Sequence, residues 1–244
     1  MSTSAKHEFA FYYKQLIKDQ KQIVLTDAAL LQRINKVLRL NVGETFTLFD
    51  GVFVIEVVIT ILDKKHCVVT VQNVEIVRQL LPEVNCIVPV LKRDALEEVL
   101  YAAIELGANS VQLMFTEKVH RAWAGTKEFE RLHAIMIAAC EQSKQFAMPR
   151  LHAPITFDEV IKQLSGDVIF FDADGKSAYE VISELKKKKN SKAITLIIGP
   201  EADLSINEKD VLRKKGVVFC KLTPTVLRAK QAFVVGLGMI RSMI

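Results

Sequence analysis

The sequence predicts an α/β protein in two parts: a small strand-rich barrel over residues 1–78 and a helix-covered parallel sheet over residues 79–244. Three observations carry this. The first eighty or so residues run as short Val-, Ile-, Thr- and Phe-rich segments with room for only one helix. After "LLPEV" (Leu80–Val84) the chain alternates strand and helix. The strands of this second part are continuously apolar, as strands buried on both faces must be.

In the first part the segments "EFAFYYKQL", "QIVLT", "ETFTLFDG", "FVIEVVITIL" and "HCVVTVQNVEIV" read as strands. Asp50-Gly51 supplies a hairpin turn, and a helix is predicted from Asp27 to Leu38. In the second part "CIVPVL" is a strand, and "DALEEVLYAAIELG" is a helix closed by Gly107 at C′. "SVQLMFT", "DVIFFDA", "AITLIIG" and "VVFCKL" are strands. Lys127–Phe146 and Val226–Met243 are predicted helices. Ligands of parallel sheets bind at the carboxyl ends of strands, which here are "FFDADG", "IIGPEAD" and "KLTPT". The second of these enters a helix through Ser205, with Glu208 three residues on, a capping box.

Composition excludes several classes. Hydrophobic content of 50% with 25% charged residues is that of a soluble globular chain. A net charge of +5 permits a polyanionic partner without demanding one. Cys67, Cys86, Cys140 and Cys220 are far apart and read as reduced thiols. The histidines at 7, 66, 120, 133 and 152 lack ligand spacing, so no metal is expected. "MSTSAKHEF" has no apolar signal core and no apolar run reaches membrane-spanning length, which points to the cytoplasm. "ADGKSA" lacks the first glycine of a phosphate loop, since that position is Phe170. No dinucleotide fingerprint or nucleophile elbow occurs. The lysine run "ELKKKKNSK" reads as a solvated helix end, and Trp123 as a packed or interface aromatic.

Five segments in order resemble one bacterial family: SPOUT-class methyltransferases of N3 of a uridine in small-subunit (16S) ribosomal RNA. They are "KVLRLNVGETFTLFDG", "VLKRDALEEVLYAAIELGANSV", "FTEK" with "ERLHAIMIAACEQSKQFAMPRL", "IIGPEADLSINE" and "LTPTVLRAKQA". The resemblance covers nearly the whole chain. It implies an N-terminal PUA-like β-barrel and a C-terminal α/β domain with a deep trefoil knot, an exception to unknotted topology. It also implies S-adenosyl-L-methionine as methyl donor, 16S ribosomal RNA or the small subunit as partner, and a homodimer.

Carried onto this chain, the resemblance puts Phe171, Asp172, Ile198, Gly199, Pro200, Glu201, Leu222, Val226 and Leu227 around the donor. Uridine N3 holds its proton until late in the pH scale, so a cation near the uracil carbonyls would favour its anion. Arg228 is the candidate, against a purely structural role at a helix start. Arg39, Lys92, Arg93 and Lys118 are candidate phosphate contacts.

This chain departs from the family pattern at the same loops. Ala202-Asp203 stands for Gly-Gly, Lys230 for a glutamate and Thr223 for a glycine. A left-handed alanine costs about 1–2 kcal/mol, less for aspartate. A lysine about 6 Å from a sulfonium would cost about 3 kcal/mol at an effective dielectric of 20. The alternative these changes leave open is a weakened or inactive homologue acting as an RNA-binding or ribosome-assembly protein.

Overall fold

The structure is a computed structural model that describes residues 8–14, 16, 19–119, 121–188 and 193–243. His7, His120, Gln15 of the first predicted strand and the end of the lysine run lie outside the described residues. The chain divides into two compact units, Met1–Arg78 with Cys140–Ala147, and Gln79–Ala139 with Met148–Ile244.

The first unit holds β1 (Ala10–Tyr12), β2 (Gln22–Leu25), α1 (Ala28–Gln32), β3 (Thr45–Phe49), β4 (Phe53–Leu62) and β5 (Cys67–Ile76). They form a five-stranded sheet in the order β1-β3-β4-β5-β2. The β1–β3 pairing is parallel and the others antiparallel. Asp50 makes the expected turn between β3 and β4, its Oδ1 accepting from the amides of Val52 at 2.8 Å and Phe53 at 2.7 Å. The Asp27 carboxylate caps α1 through the Leu30 amide at 2.7 Å. The predicted helix is not uniformly α, because Arg33–Val37 forms a π-helical turn. Phe11, Ile34, Phe46, Leu48, Ile55 and Val69 are among the core residues of this unit. Segment 140–147, which the sequence reading kept in the second part, is held here. Arg33 donates to both oxygens of Glu141, and Phe146 packs on Phe49 with ring centroids 4.9 Å apart.

The second unit holds β6 (Glu83–Pro89), α2 (Arg93–Glu105), β7 (Ser110–Phe115), α3 (Thr126–Ser143, its last turn in the first unit), β8 (Arg150–Thr156) and α4 (Phe157–Gln163). β9 (Asp167–Ser177), α5 (Ala178–Lys187), β10 (Ala193–Ile197), α6 (Ile206–Lys214), β11 (Val218–Lys221) and α7 (Ala229–Met243) complete it. The six strands pair in the order β11-β9-β10-β6-β7-β8, every pairing parallel. Phe170 joins the cluster formed with Phe157 and Val160 of α4 and Leu212 of α6. Phe171, the next residue and so on the opposite face, meets α7 at Gly236. Helices thus cover both faces.

β8 lies outside the predicted strands, and its sequence "RLHAPIT" neither alternates nor runs apolar. It is an edge strand, where Pro154 is tolerated beside a break in register between Gln112 and Met114. α3 ends at Ser143 rather than Phe146, since Lys144 turns left-handed at φ 61°. α7 starts at Ala229 rather than Val226, because Thr223–Thr225 form a turn closed by the Thr223 hydroxyl on the Thr225 carbonyl at 2.7 Å.

Candidate active site

The parallel sheet sends three loops off its carboxyl edge. The first is not a true strand end. Opposite the single step from Phe219 to Cys220 on β11, β9 advances from Phe170 to Lys176, so residues 171–175 bulge out of the pairing. The return is tight: a Cβ on Gly175 would lie 2.4 Å from the Cys220 amide nitrogen and 2.6 Å from the Phe219 carbonyl oxygen. Only glycine lets the chain rejoin β11 there.

The second loop runs from Gly199 into α6. The Asp203 amide donates to the Pro200 carbonyl at 2.9 Å, and Asp203 is left-handed at φ 61°. Its Oδ1 accepts from its neighbour Leu204 at 2.7 Å, the local bond that makes aspartate tolerable in that conformation. The capping box is present: Ser205 Oγ accepts from the Glu208 amide and Glu208 Oε2 from the Ser205 amide. Glu208 is buried and its other oxygen accepts from the Glu117 amide at 2.9 Å, tying the helix start to the end of β7. Lys118 clamps the loop from outside, its ammonium donating to the carbonyls of Ala202 and Leu204 at 3.1 Å each. In the third loop, Leu222–Arg228, the Arg228 carbonyl accepts from the Ala232 amide at 2.9 Å, so Arg228 opens α7.

These loops, with the start of α2, border a half-open cavity of about 760 Å³. Its apolar wall is Phe171, Pro200, Leu222, Val226 and Leu227. Its charged groups come mostly in pairs. Lys209 of α6 reaches between two loops, 2.7 Å from Asp172 and 2.5 Å from Asp203. Burial alone would raise the Asp172 carboxyl. The hydrogen bonds from Lys209 and the Asp174 amide outweigh it and hold that carboxyl below its usual range. Burial likewise works to lower Lys209, but its two carboxylate partners raise it above the ordinary lysine value. Lys230 of α7 pairs with Glu98 of α2, and Glu201 accepts from the Lys92 amide at 3.1 Å. The guanidinium of Arg228, exposed at the rim, makes no hydrogen bond or ion pair among the described residues. Cys220 also lines the cavity, but burial pushes its thiol up to about 11, so it is no nucleophile at neutral pH.

Phe171, Asp172, Gly199, Pro200, Glu201, Leu222, Val226, Leu227 and Arg228 all line this cavity, as does Lys92. Ile198 does not; it is 1% exposed in the core, and its amide donates to the Ile87 carbonyl. Arg93 is exposed as the first residue of α2, and Arg39 is exposed in the first unit at φ 53°. Sequence reasoning missed Glu98 and Lys209. Lys209 lies one turn into the helix that follows the Gly-Pro-Glu loop, a place from which a long side chain reaches back to the strand ends. Glu98 lies one turn beyond Asp94, the first-turn acid of α2.

Among the described residues no helix is long and apolar enough to cross a membrane, and no His, Cys, Asp and Glu cluster could hold a metal ion.

Residues 79–241, more than half of the 244, match the family described as RNA methyltransferase domain. The chain is 27% identical to ribosomal RNA small subunit methyltransferase E of Synechocystis sp., over 97% of this chain and 79% of that one. With the enzyme of the same name from Rickettsia conorii it shares 23% identity over 94% and 93% of the two chains. Among solved structures, ribosomal RNA small subunit methyltransferase E from Neisseria gonorrhoeae, bound to S-adenosyl methionine, superposes with a TM-score of 0.85. The identity is 20%, over 97% of this chain and 98% of that one. A Legionella pneumophila protein in complex with the cofactor SAM gives 0.82 at 23% identity over 96% and 97%. The α/β fold with its parallel sheet is therefore shared with these structures, and the chain belongs to the RNA methyltransferase domain family.

Proposed function

We propose that this protein transfers a methyl group from S-adenosylmethionine to N3 of one uridine in 16S ribosomal RNA. The observation that carries the reading is the cavity bordered by the three loops at the carboxyl edge of the sheet, in a chain whose family methylates RNA. A volume of about 760 Å³ suits a nucleoside-sized ligand, which takes an apolar wall and a few placed polar groups. Phe171, Leu222, Val226 and Leu227 supply that wall. Backbone at Asp172, Gly199, Pro200 and Glu201 supplies polar groups. Of the departures from the family pattern, Asp203 bonds to its own loop and to Lys209, Lys230 bonds to Glu98, and the Thr223 hydroxyl bonds to the Thr225 carbonyl, which supports a cavity left free for a ligand.

When bound, the donor supplies an electrophilic methyl on a sulfonium. The chain's own part is to bring a uracil to it with N3 depleted of its proton. Arg228, whose guanidinium has no partner among the described residues, is the group to face the uracil carbonyls and stabilise the N3 anion. The target base must be unstacked to be reached. Arg39, Lys92 and Arg93 are assigned to phosphates, and Lys118 acts through the loop it holds. We assign a PUA-like RNA-binding barrel to the first unit, a trefoil knot to the second, and a cytoplasmic homodimer to the whole.

Calorimetry with S-adenosylmethionine tests the donor site: micromolar binding is expected. No binding at millimolar donor would assign the fold to RNA binding or subunit assembly without catalysis. Mass spectrometry of ribosomal RNA from a strain lacking the protein should then show one uridine without its N3 methyl.

A further inference from the structure

We propose that Glu98 is a specificity-determining residue of this cavity: by pairing with Lys230 it lets the site accept a cationic ligand in preference to a neutral one of the same shape. The inference rests on the donor reading above. Lys230 lines the cavity from the first turn of α7, and an uncompensated ammonium there would repel a sulfonium. Glu98 lines the same cavity from α2 and binds that ammonium directly. The pair joins two helices that already pack on each other, and its side chains are 32% and 57% exposed. An ion pair that open adds little to stability. Its consequence lies in the potential inside the cavity, where Glu98 offsets the charge of Lys230.

Asp94, also on the cavity lining one turn earlier on α2, does not replace it, because the ammonium of Lys230 is bonded to Glu98. The Asp172–Lys209–Asp203 group brings two carboxylates and one ammonium, so it too leaves no surplus positive charge. With Glu98 neutralised, Lys230 would join Arg228 as a cavity-lining cation that has no bonded carboxylate among the described residues.

The test compares two ligands that differ by a methyl and a charge: S-adenosylmethionine, a sulfonium, and S-adenosylhomocysteine, a neutral thioether. Their dissociation constants are measured by calorimetry on the full-length protein, its Glu98→Gln variant and a Glu98→Gln, Lys230→Met double variant. Glu98→Gln should weaken the sulfonium by about fivefold relative to the thioether at low salt, and the gap should narrow as salt rises. The double variant should bring the ratio back to the parent value. A ratio unchanged in Glu98→Gln, with both ligands still bound, would overturn this proposal and leave the donor site standing. Failure of the parent protein to bind either ligand would instead overturn the donor reading, and this proposal with it.

Discussion

The ring of Phe171 lies directly on Gly236 of α7: a Cβ at position 236 would come within 2.2 Å of two ring carbons. The residue that walls the cavity is thus positioned by a helix residue with no side chain. Gly236→Ala should therefore displace the Phe171 ring. Alanine favours the helix by about 1 kcal/mol, but overpacking costs typically about 1–3 kcal/mol. The expected result is a modest fall in melting temperature with a clear loss of donor affinity. Unchanged affinity in a folded variant would show that the ring contributes nothing to the ligand.

Lys209 bridges Asp172, whose side chain is 4% exposed, and Asp203. Lys209→Met leaves Asp172 without its ammonium and should cost about 1–3 kcal/mol at neutral pH. The pH dependence has a definite sign. The folded Asp172 carboxyl is held below its unfolded value of 3.8, so its contribution is present above that pH and is lost as pH falls through the depressed folded value. Lys209 is raised above 10.5, so its contribution is present below that pH and lost as pH rises through the raised value. Urea unfolding should show parent and variant differing most between these limits and converging in acid.

Asp203 occupies the left-handed region at φ 61°, where glycine is at ease. Asp203→Gly relieves backbone strain but removes the bonds to Leu204 and Lys209, so stability should change by less than about 1 kcal/mol. Asp203→Ala keeps the strain and loses both bonds, and should be worse by about 1–2 kcal/mol. Thermal unfolding of the two variants side by side checks the order.

Local chemistry was legible in the sequence where it acts over three or four residues. The Ser205–Glu208 capping box and the Gly107 helix stop are such cases. The strand ends also announced the cavity, because a parallel sheet leaves its ligands nowhere else. Contacts between distant segments were not legible. Gly175 read as a failed phosphate loop, yet it is there because β11 passes 2.4 Å from where its Cβ would be. Glu98 and Lys230 are far apart in the chain, and nothing in either neighbourhood foretells their pairing. β8 escaped notice because an edge strand need not be apolar on both faces.

Arg228 has two features to be separated, a carbonyl that opens α7 and a guanidinium at the cavity with no partner among the described residues. The carbonyl role survives any side-chain change, so Arg228→Ala should leave the melting temperature and donor affinity nearly unaltered. If the guanidinium stabilises the N3 anion, kcat should drop by about 10²-fold, the usual consequence of removing one charge-stabilising donor. The pH profile distinguishes this from a loss of substrate positioning. Without the cation, the variant depends on uracil that has already lost its proton, so its rate should climb with pH more steeply than the parent's. Arg228→Lys, which keeps the charge and loses the planar fork, should recover part of the rate. An Arg228→Ala variant with full kcat and a parallel pH profile would remove Arg228 from the chemistry and leave it as the residue that leads into α7.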